Sequence, residues 1–170
     1  MKHLFRFFAL LLPLISFAQP DTLWTRMYDV GDNFGDTSTG RIALASDSGF
    51  VVTMEGPIGD FSGGLLKLSA DGEQQWQRWY NYSDINGAGF YFTAIHRESD
   101  GGFAVYGNIC SSCLWGSGIG MIRTDSNGDS LWTRHYFYQS IYGGVGHTNS
   151  SVSDAKPTPD GGYVVAGQIF

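Results

Sequence analysis

The 170-residue sequence predicts an all-β fold built from repeated four-stranded units, and three observations predict it. First, Trp-x-Arg-x-Tyr occurs three times, as Trp24-Arg26-Tyr28, Trp76-Arg78-Tyr80 and Trp132-Arg134-Tyr136, with the tryptophans 52 and 56 residues apart. Second, another stretch alternates with it: SDSGFVV from Ser46, SDGGFAVYG from Ser99 and PDGGYVVAG from Pro159. Third, no segment of ten or more residues shows helical apolar spacing, while 24 glycines and only 15% charged residues suit short strands and tight turns. Self-similarity at a fixed period marks a repeat architecture.

The chain opens with Lys2 and Arg6, then an almost wholly apolar run from Phe7 to Phe17, then the small-x-small pattern Ser16-Phe17-Ala18. This pattern predicts a secretory signal peptide over residues 1–18, cleaved between Ala18 and Gln19. The apolar run is well short of the roughly 20 residues that span a bilayer. Removing it takes away two basic residues and no acid. Lys+Arg falls from 10 to 8 against 16 Asp+Glu, and the net charge moves from -6 to about -8. An acidic chain without a Lys/Arg cluster argues against nucleic acid and anionic membrane surfaces as partners. No later stretch is apolar enough for a membrane span.

Residues 19–170 read as one incomplete repeat domain. Period-two alternation places Trp76, Arg78 and Tyr80 on one strand face, where the two rings can sandwich the guanidinium. Recurrence of this arrangement points to packing in preference to ligand contact. Leu65, Leu66 and Leu68 form the strand before it, matched by Ile119, Met121 and Ile122. Asp71-Gly72 and Asn127-Gly128 are predicted to close two-residue hairpins. In the second element, Asp100-Gly101-Gly102 and Asp160-Gly161-Gly162 are turn chemistry, and Gly107 and Gly167 are predicted to end the strands that follow. The first copy departs from this pattern, with Asp47-Ser48-Gly49 at the turn and Met54 at the terminal position. Strands precede each turn at residues 41–45, 91–97 and 152–158, the last holding Pro157.

Each unit thus holds two hairpins. Four-stranded sheets at such a period predict β-propeller-type blades. A lone Trp strand, two full pairs of hairpins and one last hairpin make about 2.75 blades, against about four to eight in closed propellers. The expectation is an N-terminal fragment of a larger propeller, with the missing blades of the same protein as partners.

The alternation of DGGYVVAG with an apolar strand, a (D/N)G turn and W-x-R-x-Y resembles the repeats of secreted propeller-like proteins of Bacteroidetes. The resemblance covers residues 21–167. It implies a propeller fold and export, often as type IX secretion cargo, and says almost nothing about activity. SADGEQQW, from Ser69 to Trp76, is similar to the structural Asp-box of sialidase propellers, with its glycine one place early at Gly72. The Gly72-to-Trp76 and Gly128-to-Trp132 spacings resemble the tryptophan-docking repeats of quinoprotein propellers. No arginine cluster, nucleophile or quinone ligand accompanies either likeness.

Candidate sites are few. Cys110 and Cys113 predict a local disulfide in an exported chain. A zinc site would need four ligands, and His96, His135 and His147 are scattered. Asp125-Ser-Asn127-Gly-Asp129 mimics the start of an EF-hand loop, but Ser130 and Tyr136 stand at its sixth and twelfth positions, so it reads as a turn. Asp29, Asp32 and Asp36 are a weak calcium candidate against solvated loop acids. Asp21-Thr22-Leu23 and Asp129-Ser130-Leu131 fit a three-residue O-glycan acceptor pattern. Tyr82, Tyr138 and Tyr142 lie in aromatic, Gly/Ser/Asn-rich connections suited to stacking on a sugar or peptide. Serine-hydrolase, Rossmann and P-loop motifs are absent, and no cofactor is predicted.

The functional expectation is an exported binding or scaffold module whose partner is a protein or glycan at the cell surface. The alternative is a glycan-active propeller enzyme, sialidase-like or another hydrolase, with its catalytic residues mostly outside this chain.

Overall fold

The fold was read from a computed structural model that describes residues 24–28, 39–55, 63–80, 88–111, 117–136 and 150–169. These residues form ten antiparallel strands and no helix. Strands β1 (Thr39–Leu44), β2 (Phe50–Glu55), β3 (Gly63–Leu68) and β4 (Gln74–Tyr80) make one four-stranded sheet in sequence order. Strands β5 (Ala88–Arg97), β6 (Phe103–Ser111), β7 (Ser117–Thr124) and β8 (Ser130–Tyr136) make a second, and β9 (Ser150–Pro157) with β10 (Tyr163–Ile169) a two-stranded third. No sheet closes on itself among the described residues. The first Trp copy, residues 24–28, is not paired into any sheet, contrary to its expected strand.

All five described turns share one geometry, which corrects the two-residue hairpins expected from sequence. The amides of Ala45, Ser69, Glu98, Asp125 and Thr158 donate to carbonyls four residues on, at 2.8–2.9 Å. Inside four of these loops the glycine amide donates back three residues, as from Gly72 to Ser69 at 3.1 Å. The loop is therefore three residues long, a type I turn followed by one left-handed residue. That residue is Gly72, Gly101, Gly128 or Gly161, with φ of 81–87°, and Ser48 at φ 66° in the first copy. The Asp or Asn before it occupies an ordinary turn position. It needs no positive φ, which is why two-residue turn chemistry was the wrong reading.

Gly107 and Gly167 do not end their strands. Both sit inside them, opposite β-bulges. A Cβ there would fall 1.9 Å from the Tyr91 carbonyl oxygen or 2.1 Å from that of Ser151, so the partner backbone beside the bulge can come this close only to a glycine. Strand β6 also runs on through Ser111, carrying Cys110 into the ladder opposite Gly89 and Ser117. The Cys110 side chain and Cys113 lie outside the described residues.

The sheets stack face to face. β5 lies against β1, β2 and β3, and β9 against β5, β6 and β7. Between the first two sheets Val51 and Leu65 meet Phe90, Phe92, Ile95, Phe103, Val105, Ile109 and Ile122. The second and third sheets enclose Ala94, Ala104, Tyr106, Met121 and Ala155. On the far face of the first sheet Met54, Leu66 and Leu68 are covered in part by Tyr28. Every residue of β3 is buried, because both of its faces are covered, and this explains why its only polar side chain is Lys67. Arg41 Nε donates to the Thr93 carbonyl at 2.7 Å and Arg97 Nη1 to that of Ala45 at 3.2 Å, tying the first sheet to the second.

One glycine pair separates backbone strain from packing. A Cβ on Gly128 would lie 2.8 Å from the Trp76 ring, whereas one on Gly161, at the same φ of 81°, meets nothing within 4 Å among the described residues. Gly161→Ala should therefore cost about 1–2 kcal/mol, the left-handed penalty alone. Gly128→Ala should cost about 2–4 kcal/mol, because overpacking adds to it. Urea unfolding of the two variants measures the difference, and equal costs would remove the tryptophan from that turn.

Candidate functional site

The repeated Trp-x-Arg-x-Tyr stretches act across sheets. In the second copy Trp76, Arg78 and Tyr80 stand on the face of β4 that looks toward the second sheet. The Trp76 ring lies over Gly128 in the β7–β8 turn. The Tyr80 hydroxyl donates to the Gly128 carbonyl at 2.6 Å, and Arg78 Nε reaches Asp129 Oδ1 at 3.3 Å. The first copy does the same to the β3–β4 turn. Trp24 lies over Gly72, Tyr28 donates to the Gly72 carbonyl at 2.8 Å, and Arg26 pairs with Glu73 at 2.7 Å. Trp24 also donates from its ring nitrogen to the Ala70 carbonyl at 3.2 Å.

The expected aromatic sandwich of the arginine is replaced by a different arrangement. Arg78 sits over Trp76 at 5.9 Å on one side and meets the acid of the next turn on the other. Tyr80 instead turns its hydroxyl to the glycine carbonyl and its ring edge to Phe92, at 6.3 Å. Burial pushes the Tyr80 hydroxyl far above the usual phenol range, so it stays a donor at all working pH values. The ion pairs are exposed and contribute about 0–1 kcal/mol each. The tyrosine hydrogen bond contributes about 1 kcal/mol, and the buried ring faces add more.

A second repeated contact was not found by sequence reasoning. Lys67 on β3 is almost fully buried and donates to both oxygens of Asp47 (2.9 and 2.8 Å), to the Leu68 carbonyl and to Gln75. Arg123 on β7 is equally buried and grips both oxygens of Asp100 at 2.6 Å. Each cation thus runs under the turn that joins the first two strands of its own sheet. It passes over Gly49 or Gly102, where a Cβ would fall 2.5 Å from its nitrogen. The signal in the sequence was a single basic residue inside an apolar strand, in LLKL and MIRT, nine positions before the tryptophan.

The third copy is arranged differently. Trp132 is packed edge-on to Tyr163 at 6.3 Å and 65°, close to the 6.3 Å and 62° of Trp24 with Phe50. Arg134 lies over Trp132 at 5.1 Å. No turn lies beneath them among the described residues, and Tyr136 is 52% exposed. Instead Trp132, Arg134 and Tyr136 line an open cleft of about 500 Å³, with Met121 below and Gly162 and Tyr163 across. Gly162 donates to Asp160 at 3.1 Å, but among the described residues no cation crosses it as one crosses Gly102.

The other candidates divide between turns and residues outside the described set. The Asp125 carboxylate accepts from the amides of Asn127 and Asp129, both at 2.9 Å, so it is committed to the turn. His96 bonds the Ala155 carbonyl. The Tyr106 hydroxyl is buried, without a hydrogen-bond partner among the described residues, and its ring lies against His96 and Tyr163. Among the described residues no three His, Cys, Asp or Glu side chains gather as a metal site, and no helix is long and apolar enough to cross a membrane. Asp29, Asp32, Asp36, Tyr82, Tyr138, Tyr142 and His147 lie outside the described residues. No family model matches the chain, and no curated protein matches it.

The buried cations give the fold an acid limit. Hydrogen bonds from Lys67 and Arg123 hold the Asp47 and Asp100 carboxyls below their ordinary value of 3.8. Lowered folded pKa values contribute stability that is present above the unfolded value and lost as pH falls through the folded one. The melting temperature should therefore fall below about pH 4. Asp47→Asn/Asp100→Asn should melt lower at pH 7 and lose less between pH 4 and pH 2. Parallel melting curves across that range would contradict the assignment.

Proposed function

We propose that these stacked sheets are blades of a propeller-type module, exported through the signal peptide at residues 1–18, that binds or scaffolds at or outside the cell surface. The observation that carries this reading is that the recurring side chains are spent on holding one sheet to the next. Trp24, Arg26, Tyr28, Trp76, Arg78 and Tyr80 all engage a turn of the following sheet. Lys67, Arg123, Asp47 and Asp100 lock turns within a sheet. A rigid repeat of this kind supports binding through its connections, which vary in sequence from unit to unit. Those at residues 81–87 and 137–149 carry Tyr82, Tyr138 and Tyr142. Their rings suit the flat apolar faces of sugars or an aromatic-rich peptide.

Expression with the native N-terminus in a bacterial host, followed by N-terminal sequencing of the exported protein, should place the first residue at Gln19. On a glycan array the mature protein should bind without releasing sugar from chromogenic glycosides. Tyr82→Ala/Tyr138→Ala/Tyr142→Ala should weaken that binding by about tenfold or more, equivalent to about 1.4 kcal/mol, with no change in melting temperature. Retention of the protein in the cytoplasm would contradict the export. Sugar release would favour the enzyme alternative, and full binding by the triple variant would remove the tyrosines from the site.

A further inference from the structure

Two independent features, one on the last strand of the second sheet and one in the turn of the third, lack the counterpart that the same chain shows twice elsewhere. The first is the Trp132-Arg134-Tyr136 face. Its equivalents clasp an Asx-Gly turn through a ring over the glycine, a hydroxyl on the glycine carbonyl and a guanidinium on the next acid. Trp132 already holds the aromatic neighbour that Trp24 holds, in the same geometry. The second is Asp160. It occupies the place of Asp47 and Asp100 and accepts from Gly162 as they do from Gly49 and Gly102. It accepts otherwise from Thr158, at 2.5 Å, and meets no cation among the described residues. Both features border the edge of β10 that is free among the described residues, where β10 pairs with β9 alone, whereas β2 and β6 each pair on two sides.

We propose that the cleft is a socket for one more β-hairpin, joined to the C-terminal end of β10 and paired along that free edge. The two filled sockets define its chemistry. They take Leu66-Lys67-Leu68-Ser69-Ala70-Asp71-Gly72-Glu73 and Ile122-Arg123-Thr124-Asp125-Ser126-Asn127-Gly128-Asp129. The occupant therefore carries an apolar–basic pair, then three residues, then Asp/Asn-Gly and an acid. Its basic residue crosses Gly162 to Asp160. Its glycine lies under Trp132, with the carbonyl on Tyr136 and the acid on Arg134. A second copy is disfavoured as the source, because both turns of this type among the described residues are already clasped. In the two complete sheets the third strand follows the second directly, across residues 56–62 and 112–116. The proposal rests on the stacked-sheet reading of the module, and not on its export or its ligand.

The test extends the 170-residue chain after Phe170 with a copy of residues 112–136 in which Cys113 is replaced by serine. Parent and extended chains are each made with Tyr136→Phe and with Asp160→Asn. The extended chain should stay monomeric and melt at least about 4 °C above the parent. Each substitution should lower the melting temperature of the extended chain by about 2 °C or more and leave the parent unchanged. Equal melting of parent and extended chains, or equal effects of the substitutions in both, overturns the proposal. Dimerisation of the parent that Tyr136→Phe abolishes also overturns it, in favour of a second copy. If the extended chain fails to fold, a peptide of residues 117–136 is titrated onto the parent. Binding weakened at least threefold by either substitution supports the socket, and no binding at millimolar peptide overturns it. Glycan binding is scored separately, so loss of the ligand reading leaves this result standing.

Discussion

The structure depends on one contact, a tryptophan ring laid over a left-handed glycine of the next sheet's turn. A sheet with two apolar faces must be covered on both, and a four-stranded sheet cannot cover itself. Stacking solves this only if successive sheets are held in a fixed relation. The glycine permits the close approach, because any Cβ at Gly72 or Gly128 would enter the ring. The same glycine supplies the positive φ that the three-residue turn needs. One residue thus satisfies the turn within a sheet and the contact between sheets. The tyrosine on the glycine carbonyl then fixes the direction of approach, which ring stacking alone leaves free.

The buried Lys67 and Arg123 serve a different purpose. Taking a cation out of water is costly unless its donors are all met. Here Lys67 finds Asp47, Gln75 and a backbone carbonyl, and Arg123 finds Asp100 and its neighbouring carbonyl. The cation pins the turn between the first two strands to the third strand of the same sheet. The tryptophan then pins that sheet to the one before or after. Local turn, sheet and stack are linked through side chains that recur from unit to unit, so a change in one unit is felt by its neighbour.

Much of this was legible in the sequence. The strand content, the two alternating elements and the turn positions follow from periodicity and from Gly with Asp or Asn. The target of each Trp-x-Arg-x-Tyr stretch was not legible, because Tyr28 and Gly72, or Tyr80 and Gly128, lie more than 40 residues apart. A strand pattern reports which side chains share a face, and says nothing of what that face meets. The turn length was misread because Asp71-Gly72 has the same letters in a two-residue and a three-residue loop. Gly107 was read as a strand end, although the bulge opposite it arises from the partner strand. The ligand candidates Tyr82, Tyr138 and Tyr142 rest on composition alone, and the repeats do not speak to them.

The most direct test of the clasp is the proton chemical shift of the turn glycines. Gly72 and Gly128 lie beneath indole rings, whereas Gly161 has nothing among the described residues within 4 Å of its would-be side chain. Ring currents should move the α-protons of Gly72 and Gly128 well upfield and leave those of Gly161 in the ordinary range. Replacing Trp76 by alanine should return Gly128 alone to that range. Ordinary shifts for all three glycines would contradict the account, because no tryptophan would then lie over a turn.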